Sequence, residues 1–205
     1  MRLELVDVGH HFRSGPWLFQ GVSADFESGT VTAITGPSGS GKSTLLRIIA
    51  RRLEQVSGEV RRVGIETMAV VPQVPIGVGP RSGLDHLVLP LLAEGLDRGE
   101  AEIQARPVAE LFGLSDRLDA PFRELSVGEA QRLMLARAVV QKAALILADE
   151  PTASLDTRNA AAVVGVLGNL SRAGAVVVVA THDARVRDAC DQVLELGAAL
   201  PVSEM

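Results

Sequence analysis

The sequence predicts an α/β fold with a mainly parallel core sheet, a small antiparallel β edge and an inserted helical lobe. Three observations carry this. The runs 31–35, 144–148 and 175–180 are continuously apolar rather than alternating, the pattern of strands covered on both faces. Helical spacing follows the first two, in Leu45, Ile49 and Leu53 and then in Ala160, Val163, Leu167 and Leu170, giving strand–helix–strand units. Between about residues 81 and 141 the pattern is helical throughout, with Leu84, Leu87, Val88, Leu91 and Leu92 and then Ile103, Val108 and Leu111 forming stripes. Ahead of these, Leu3, Leu5 and Val8 and the stretch 23–26 predict short strands of a mixed or antiparallel edge. No internal repeat or low-complexity tract interrupts the order.

Composition narrows the function classes. At 205 residues and 47% apolar content, the chain is sized for one domain. Twenty Lys and Arg against 25 Asp and Glu give a net charge of −5, which excludes a general nucleic-acid binder that must neutralise many phosphates. Arg51, Arg52, Arg61 and Arg62 form a basic cluster read as a solvated face. Cys190 has no partner at disulfide or metal-ligand spacing, which fits a reducing compartment. No stretch approaches the roughly 20 apolar residues that span a bilayer, and Glu4 sits where a leader would be apolar, so a cytoplasmic protein is expected.

Gly36-Pro37-Ser38-Gly39-Ser40-Gly41-Lys42-Ser43 matches the pattern G-x-x-x-x-G-K-[ST], with the apolar run 31–35 before it and a helix expected over 44–52 after it. That context separates it from an ordinary Gly/Ser turn. Glycines let successive N–H groups curl around phosphate oxygens at the positive end of a helix. Lys42 is placed to reach the outer phosphates, and the Ser43 hydroxyl to meet Mg2+, with Thr44 closing the loop.

Leu145-Ile146-Leu147-Ala148 runs into Asp149-Glu150. Alternation along an extended backbone would give the acids two roles, Asp149 towards a metal and Glu150 towards the attacking water. Both lie at the carboxyl end of a strand, where parallel sheets place ligands.

Leu125-Ser126-Val127-Gly128-Glu129, followed by Ala130-Gln131-Arg132, completes a set of motifs in an order that resembles the ATPase subunit of ABC transporters over nearly the whole chain. The resemblance implies a P-loop NTPase that binds ATP and Mg2+. In that family the segment is a signature, usually Leu-Ser-Gly-Gly-Gln or Glu, that closes on ATP held by the opposite subunit. Ser126 and Gly128 match it and Val127 departs from it. The same residues also form a helix-capping box in their own right. Further matches imply roles for Gln73 at metal and water, for Ser154-Leu155-Asp156 at the dimer seam, and for His182 at the γ-phosphate. Phe12 matches the aromatic that stacks on adenine, with Trp17 or Phe19 as substitutes and core packing as the rival reading. His10, His11 and His86 are read as surface or lobe residues.

The thirty residues from Lys42 to Gln73 imply a trimmed antiparallel lobe, and no C-terminal regulatory domain is expected after the His182 segment. The partners implied are a second ATP-binding subunit, identical or not, and a separate membrane-spanning permease. That places the chain peripherally on the inner face of the cell membrane. The segment 87–92 resembles the subgroup serving lipoprotein release, macrolide export and cell division. An ATP-gated switch acting through a membrane protein without solute transport is the alternative. Repair ATPases of the same superfamily carry long coiled coils or Cys-rich zinc insertions, which this sequence lacks. Val127 puts a stiff, branched side chain where the signature has glycine. Val127→Gly is expected to tighten ATP-dependent dimerisation, measured by sedimentation; unchanged dimerisation and ATPase rate would remove Val127 from that role.

Overall fold

The computed structural model describes residues 1–153 and 157–197. Strands β1 (Arg2–His11) and β2 (Trp17–Glu27) open the chain, and β3 (Val31–Thr35) leads into helix α1 (Lys42–Ile49). Strands β4 (Ser57–Val63) and β5 (Met68–Val71) precede α2 (Gly83–Ala93), α3 (Arg98–Leu111) and α4 (Val127–Val140). Then follow β6 (Leu145–Asp149), α5 (Thr157–Arg172), β7 (Val176–Ala180), α6 (Ala184–Asp188) and β8 (Gln192–Glu195).

Two sheets result. Strands β5-β6-β7-β3-β8 pair in parallel, and β2-β1-β4 pair antiparallel. The apolar runs are continuous because both faces of the parallel sheet are covered. Ile34, Leu145, Leu147, Val176 and Val178 pack with Leu3, Leu5, Phe19 and Phe26 of the antiparallel sheet and with Leu45, Leu46, Ile48 and Ile49 of α1. Their neighbours Ile146, Ala148, Val177 and Val179 face the opposite core, with Leu87, Leu91, Leu133, Val163 and Leu167. Helix α1 is therefore held between two sheets, each of its four large apolar side chains contributing about 1.5–3 kcal/mol of burial.

The helices α2 to α4 enter between β5 and β6, which are themselves neighbours in the sheet, so the inserted helical segment expected over 81–141 is present. Each of these helices starts with a complete capping box, Ser82 with Asp85, Asp97 with Glu100, and Ser126 with Glu129. Among the described residues no helix is long and apolar enough to cross a membrane.

Four expectations need correction. The edge strands are long, ten and eleven residues, because β1 pairs on both sides and absorbs register shifts around Asp7, at φ 48°. Helix α1 runs from Lys42 to Ile49 rather than 44–52. It stops where Arg51 turns left-handed at φ 56°, leaving Leu53 outside. His10 is buried, 4% exposed, rather than at the surface; His86, read as a surface or lobe residue, lies in the lobe on α2 and is equally buried. Arg62, read as part of a solvated face, turns inward. Its Nη2 donates to Ile49 O at 2.6 Å and Ile48 O at 3.3 Å, and its Nε donates to Ile49 O at 3.1 Å, so it satisfies the last carbonyls of α1.

Arg62→Ala leaves Ile49 O without its donors, while Ile48 O keeps Arg51 N, and is expected to cost about 2 kcal/mol in urea unfolding. Arg62→Lys recovers less than half, because an ammonium cannot reproduce the guanidinium fork.

Candidate nucleotide site

The phosphate loop is built by what lies beneath it. At Gly36, φ is 144° and a Cβ would come within 2.5 Å of Leu196 O; at Gly41, φ is 96° and a Cβ would meet Phe19 and Leu18 within 2.9 Å. Both positions therefore require glycine, one against the end of β8 and one against β2. Leu196 N donates to Thr35 O, fixing that edge.

Helix α1 begins differently from α2, α3 and α4. Its N-cap is Gly41, no side chain caps it, and no acid lies in its first turn. The first bond of its own ladder is from Leu45 N to Gly41 O, so the N–H groups of Lys42, Ser43 and Thr44 have no helical acceptor. These donors and the helix dipole make a site for an anion. Lys42 Nζ donates to Gly36 O at 2.8 Å and Pro37 O at 3.1 Å, which holds its charge over the loop. The buried Ser40 hydroxyl lies under the loop.

A cleft of about 670 Å³ opens above it, lined by Phe12, Leu18, Gly36, Pro37, Ser38, Gly39, Gly41, Lys42, Ser43, Thr44, Gln73, Glu150 and His182. Phe12 is 53% exposed at its rim, with an edge contact to His10. Its rivals are accounted for otherwise: Phe19 is buried under Gly41, and Trp17 packs edge-on against His11. Leu18, which the sequence reading did not single out, lines the cleft beside Phe12.

The acids at the end of β6 do not alternate along one strand as expected. Asp149 ends β6, and Glu150 turns left-handed at φ 47°, a conformation costly for a residue with a side chain. The turn brings the Glu150 carboxylate, 7% exposed, to the end of β7. There Oε1 lies 2.6 Å from His182 Nδ1, and Oε2 accepts from the Thr181 hydroxyl at 3.2 Å and from His182 N at 3.4 Å. Thr181 is a second residue the sequence reading did not single out; its signal was a hydroxyl at the carboxyl end of a buried strand.

Asp149 is pushed above the usual carboxylate range, first by burial and also by Glu150, against a hydrogen bond from Ser43 and the charge of Lys42. Its Oδ1 is buried without a hydrogen-bond partner. A buried, unsatisfied carboxylate oxygen beside a serine hydroxyl suits a hard divalent cation such as Mg2+, which takes one or two protein oxygens and completes its shell with phosphates and water.

Ser126 and Gly128 are outside this cleft. Ser126 caps α4, accepting from Glu129 N at 3.3 Å, while Glu129 Oε2 accepts from Ser126 N at 2.8 Å. That backbone donor, with Arg117 and Arg132 nearby, holds the Glu129 carboxyl below its usual range. Val127 is 60% exposed at the same helix start. Ser154, Leu155 and Asp156 lie outside the described residues.

A glycine loop over an uncapped helix, a strand ending in acids beside it and a parallel sheet beneath define a P-loop nucleoside triphosphatase domain. More narrowly, the chain belongs to the ABC transporter family, whose family model matches residues 19–153. It is 34% identical to "Macrolide export ATP-binding/permease protein MacB 1" of Aeromonas hydrophila over 95% of this chain and 33% of that protein. The chain thus spans about a third of the length of the MacB relatives it matches. It is also 34% identical to "Lipoprotein-releasing system ATP-binding protein LolD 2" of Rhodospirillum rubrum, over 85% of this chain and 83% of that protein. Among solved structures, a dimeric ATP-binding cassette in a post-hydrolysis state with ADP and Pi superposes with TM-score 0.88 at 26% identity. The match covers 96% of each chain. The chain is accordingly an ATP-binding cassette of the ABC transporter type.

Because burial raises the Asp149 pKa, ionising it costs folded-state free energy, and stability falls as pH rises through its titration. Asp149→Asn removes that cost. The ligand-free variant is expected to melt at or slightly above the wild-type temperature near neutral pH, while the extra stabilisation given by Mg2+ with ATP over ATP alone disappears. Retention of that increment would show that Asp149 does not serve the cation.

Proposed function

We propose that this cassette hydrolyses ATP with Mg2+, pairs with a second ATP-binding subunit around the nucleotide, and drives a membrane-spanning permease from the inner face of the membrane. The observation that carries the reading is the Glu150 carboxylate, buried at the mouth of the phosphate loop and gripped by His182 and Thr181.

In this reading the N–H groups of Lys42, Ser43 and Thr44 bind the phosphates and Lys42 leaves the Gly36 and Pro37 carbonyls for the outer phosphate oxygens. Gly36 to Gly41 shape the loop, and Phe12 offers its exposed face to the adenine. Ser43, Asp149 and Gln73 would hold Mg2+, which supplies charge neutralisation on the transferring phosphoryl group. Glu150 orients and polarises water, and His182, hydrogen-bonded to that carboxylate, ties it to the γ-phosphate.

Ser126 and Gly128 lie outside the cleft, so they would complete the site of the second subunit rather than their own. Support comes from the dimeric cassette bound to ADP and Pi. A permease partner is supported by relatives named for ATP-binding/permease and lipoprotein-releasing proteins.

Glu150→Gln is expected to retain ATP affinity within about threefold and to lose turnover by about 10²–10⁴-fold, measured by equilibrium nucleotide binding and phosphate release. Turnover within tenfold of wild type would remove Glu150 from the reaction.

A further inference from the structure

The stretch 72–81 between β5 and α2 has no regular structure, so its backbone polar groups must find partners elsewhere. One of them is unusual. Val78 N–H donates to His86 Nε2 at 2.9 Å, and the other ring nitrogen, Nδ1, lies 2.7 Å from Ser82 O. An N–H donor at Nε2 fixes that nitrogen as the acceptor, so Nδ1 carries the proton and donates to Ser82 O. The neutral ring is fully satisfied in this one tautomer.

We propose that His86 is a positioning residue for Gln73, holding the loop that follows Gln73 to helix α2 through its single acceptor nitrogen. The proposal rests on the role given to Gln73 above and deepens it.

Packing supports the bond. The ring is 4% exposed and lies 5.0 Å from the ring of Phe122, tilted by 31°. Gly77, one residue before Val78, rests on the same Phe122 ring, where a Cβ would approach to 2.6 Å. Beyond Val78 the loop stays anchored: Arg123 N donates to Gly79 O at 3.1 Å and Phe122 N to Arg81 O at 2.8 Å. On the other side of Gln73, Pro72 O accepts from Gln131 Nε2 at 3.3 Å, and Gln131 lies on α4, the helix that Ser126 caps.

Gln73 therefore sits between two anchors, Gln131 and His86, both on the inserted helical segment. The residues between Gln73 and the His86 anchor include Val74 and Ile76, which are 72% and 69% exposed. With both anchors on that segment, the position of Gln73 is tied to the helical segment rather than to the sheet alone. Without the His86 acceptor, the loop keeps Gln131 at one end but loses its nearest hold at the other.

Three variants separate this role from simple packing. His86→Leu fills the space without an acceptor. His86→Gln places an amide oxygen near the Nε2 position, whereas His86→Asn reaches only the Nδ1 position. His86→Leu is expected to lower kcat about tenfold, with the ATP KM within about twofold of wild type, as one anchoring hydrogen bond is lost. His86→Gln recovers kcat to within about threefold and His86→Asn does not. Hydrogen exchange at the Val78 amide should be slow in wild type and His86→Gln and fast in His86→Leu.

Wild-type kcat in His86→Leu, equal losses in the Leu and Gln variants, or a loss confined to KM would overturn the proposal. Should His86→Leu melt too low to assay, the comparison of His86→Gln with His86→Asn decides in the same way. If wild type itself turned over no ATP, the function proposed above would fall. Val78 exchange would then still decide whether His86 holds the loop, unchanged exchange in His86→Leu overturning it.

Discussion

The rest of the site depends on an unfinished helix. Three helices of the inserted segment satisfy their first turns with their own side chains, but α1 begins at Gly41 with no cap and no acid. Unpaired donors at a helix start are costly unless something accepts from them. The fold holds this start in place without satisfying it. Two sheets grip the apolar face of α1, Arg62 closes its other end, and Phe19 and Leu196 support the glycines that shape the loop. Stability from burial maintains an arrangement whose remaining partner is an anionic ligand.

The carboxylates complement that positive end. Asp149 is held in a place that disfavours its charge, with one oxygen unsatisfied, so a cation bound there would relieve a cost already present in the free protein. Glu150 is held differently. Thr181 and His182 hold it by donors, at the expense of a left-handed backbone. One strand end thus presents two acids in different states of satisfaction, which suits different chemical tasks.

Much of this was legible in the sequence. Continuous apolar runs identify β3, β6 and β7 because these strands are buried on both faces, and the phosphate loop declares itself by a spacing that its geometry demands. Strands β4, β5 and β8 were not foreseen. β4 carries Gly58, Glu59, Arg61 and Arg62 at an edge, and β5 and β8 are four residues each, too short for a pattern to register. The inward turn of Arg62 and the burial of His86 were hidden for a common reason. Each depends on backbone carbonyls or amides supplied by another element, and side-chain type alone does not encode them. Glu150 was placed correctly beside the loop but by the wrong geometry, since an extended alternation was assumed where the backbone reverses.

The most direct test of the account is a map of backbone amide chemical shifts on adding ATP with Mg2+ to the ligand-free protein. The largest changes are predicted at Gly39, Ser40, Gly41, Lys42, Ser43 and Thr44, with smaller ones at Glu150 and His182. Binding that left those amides unmoved, or moved chiefly residues remote from the start of α1, would contradict the claim that this helix start is the site the fold is built to present.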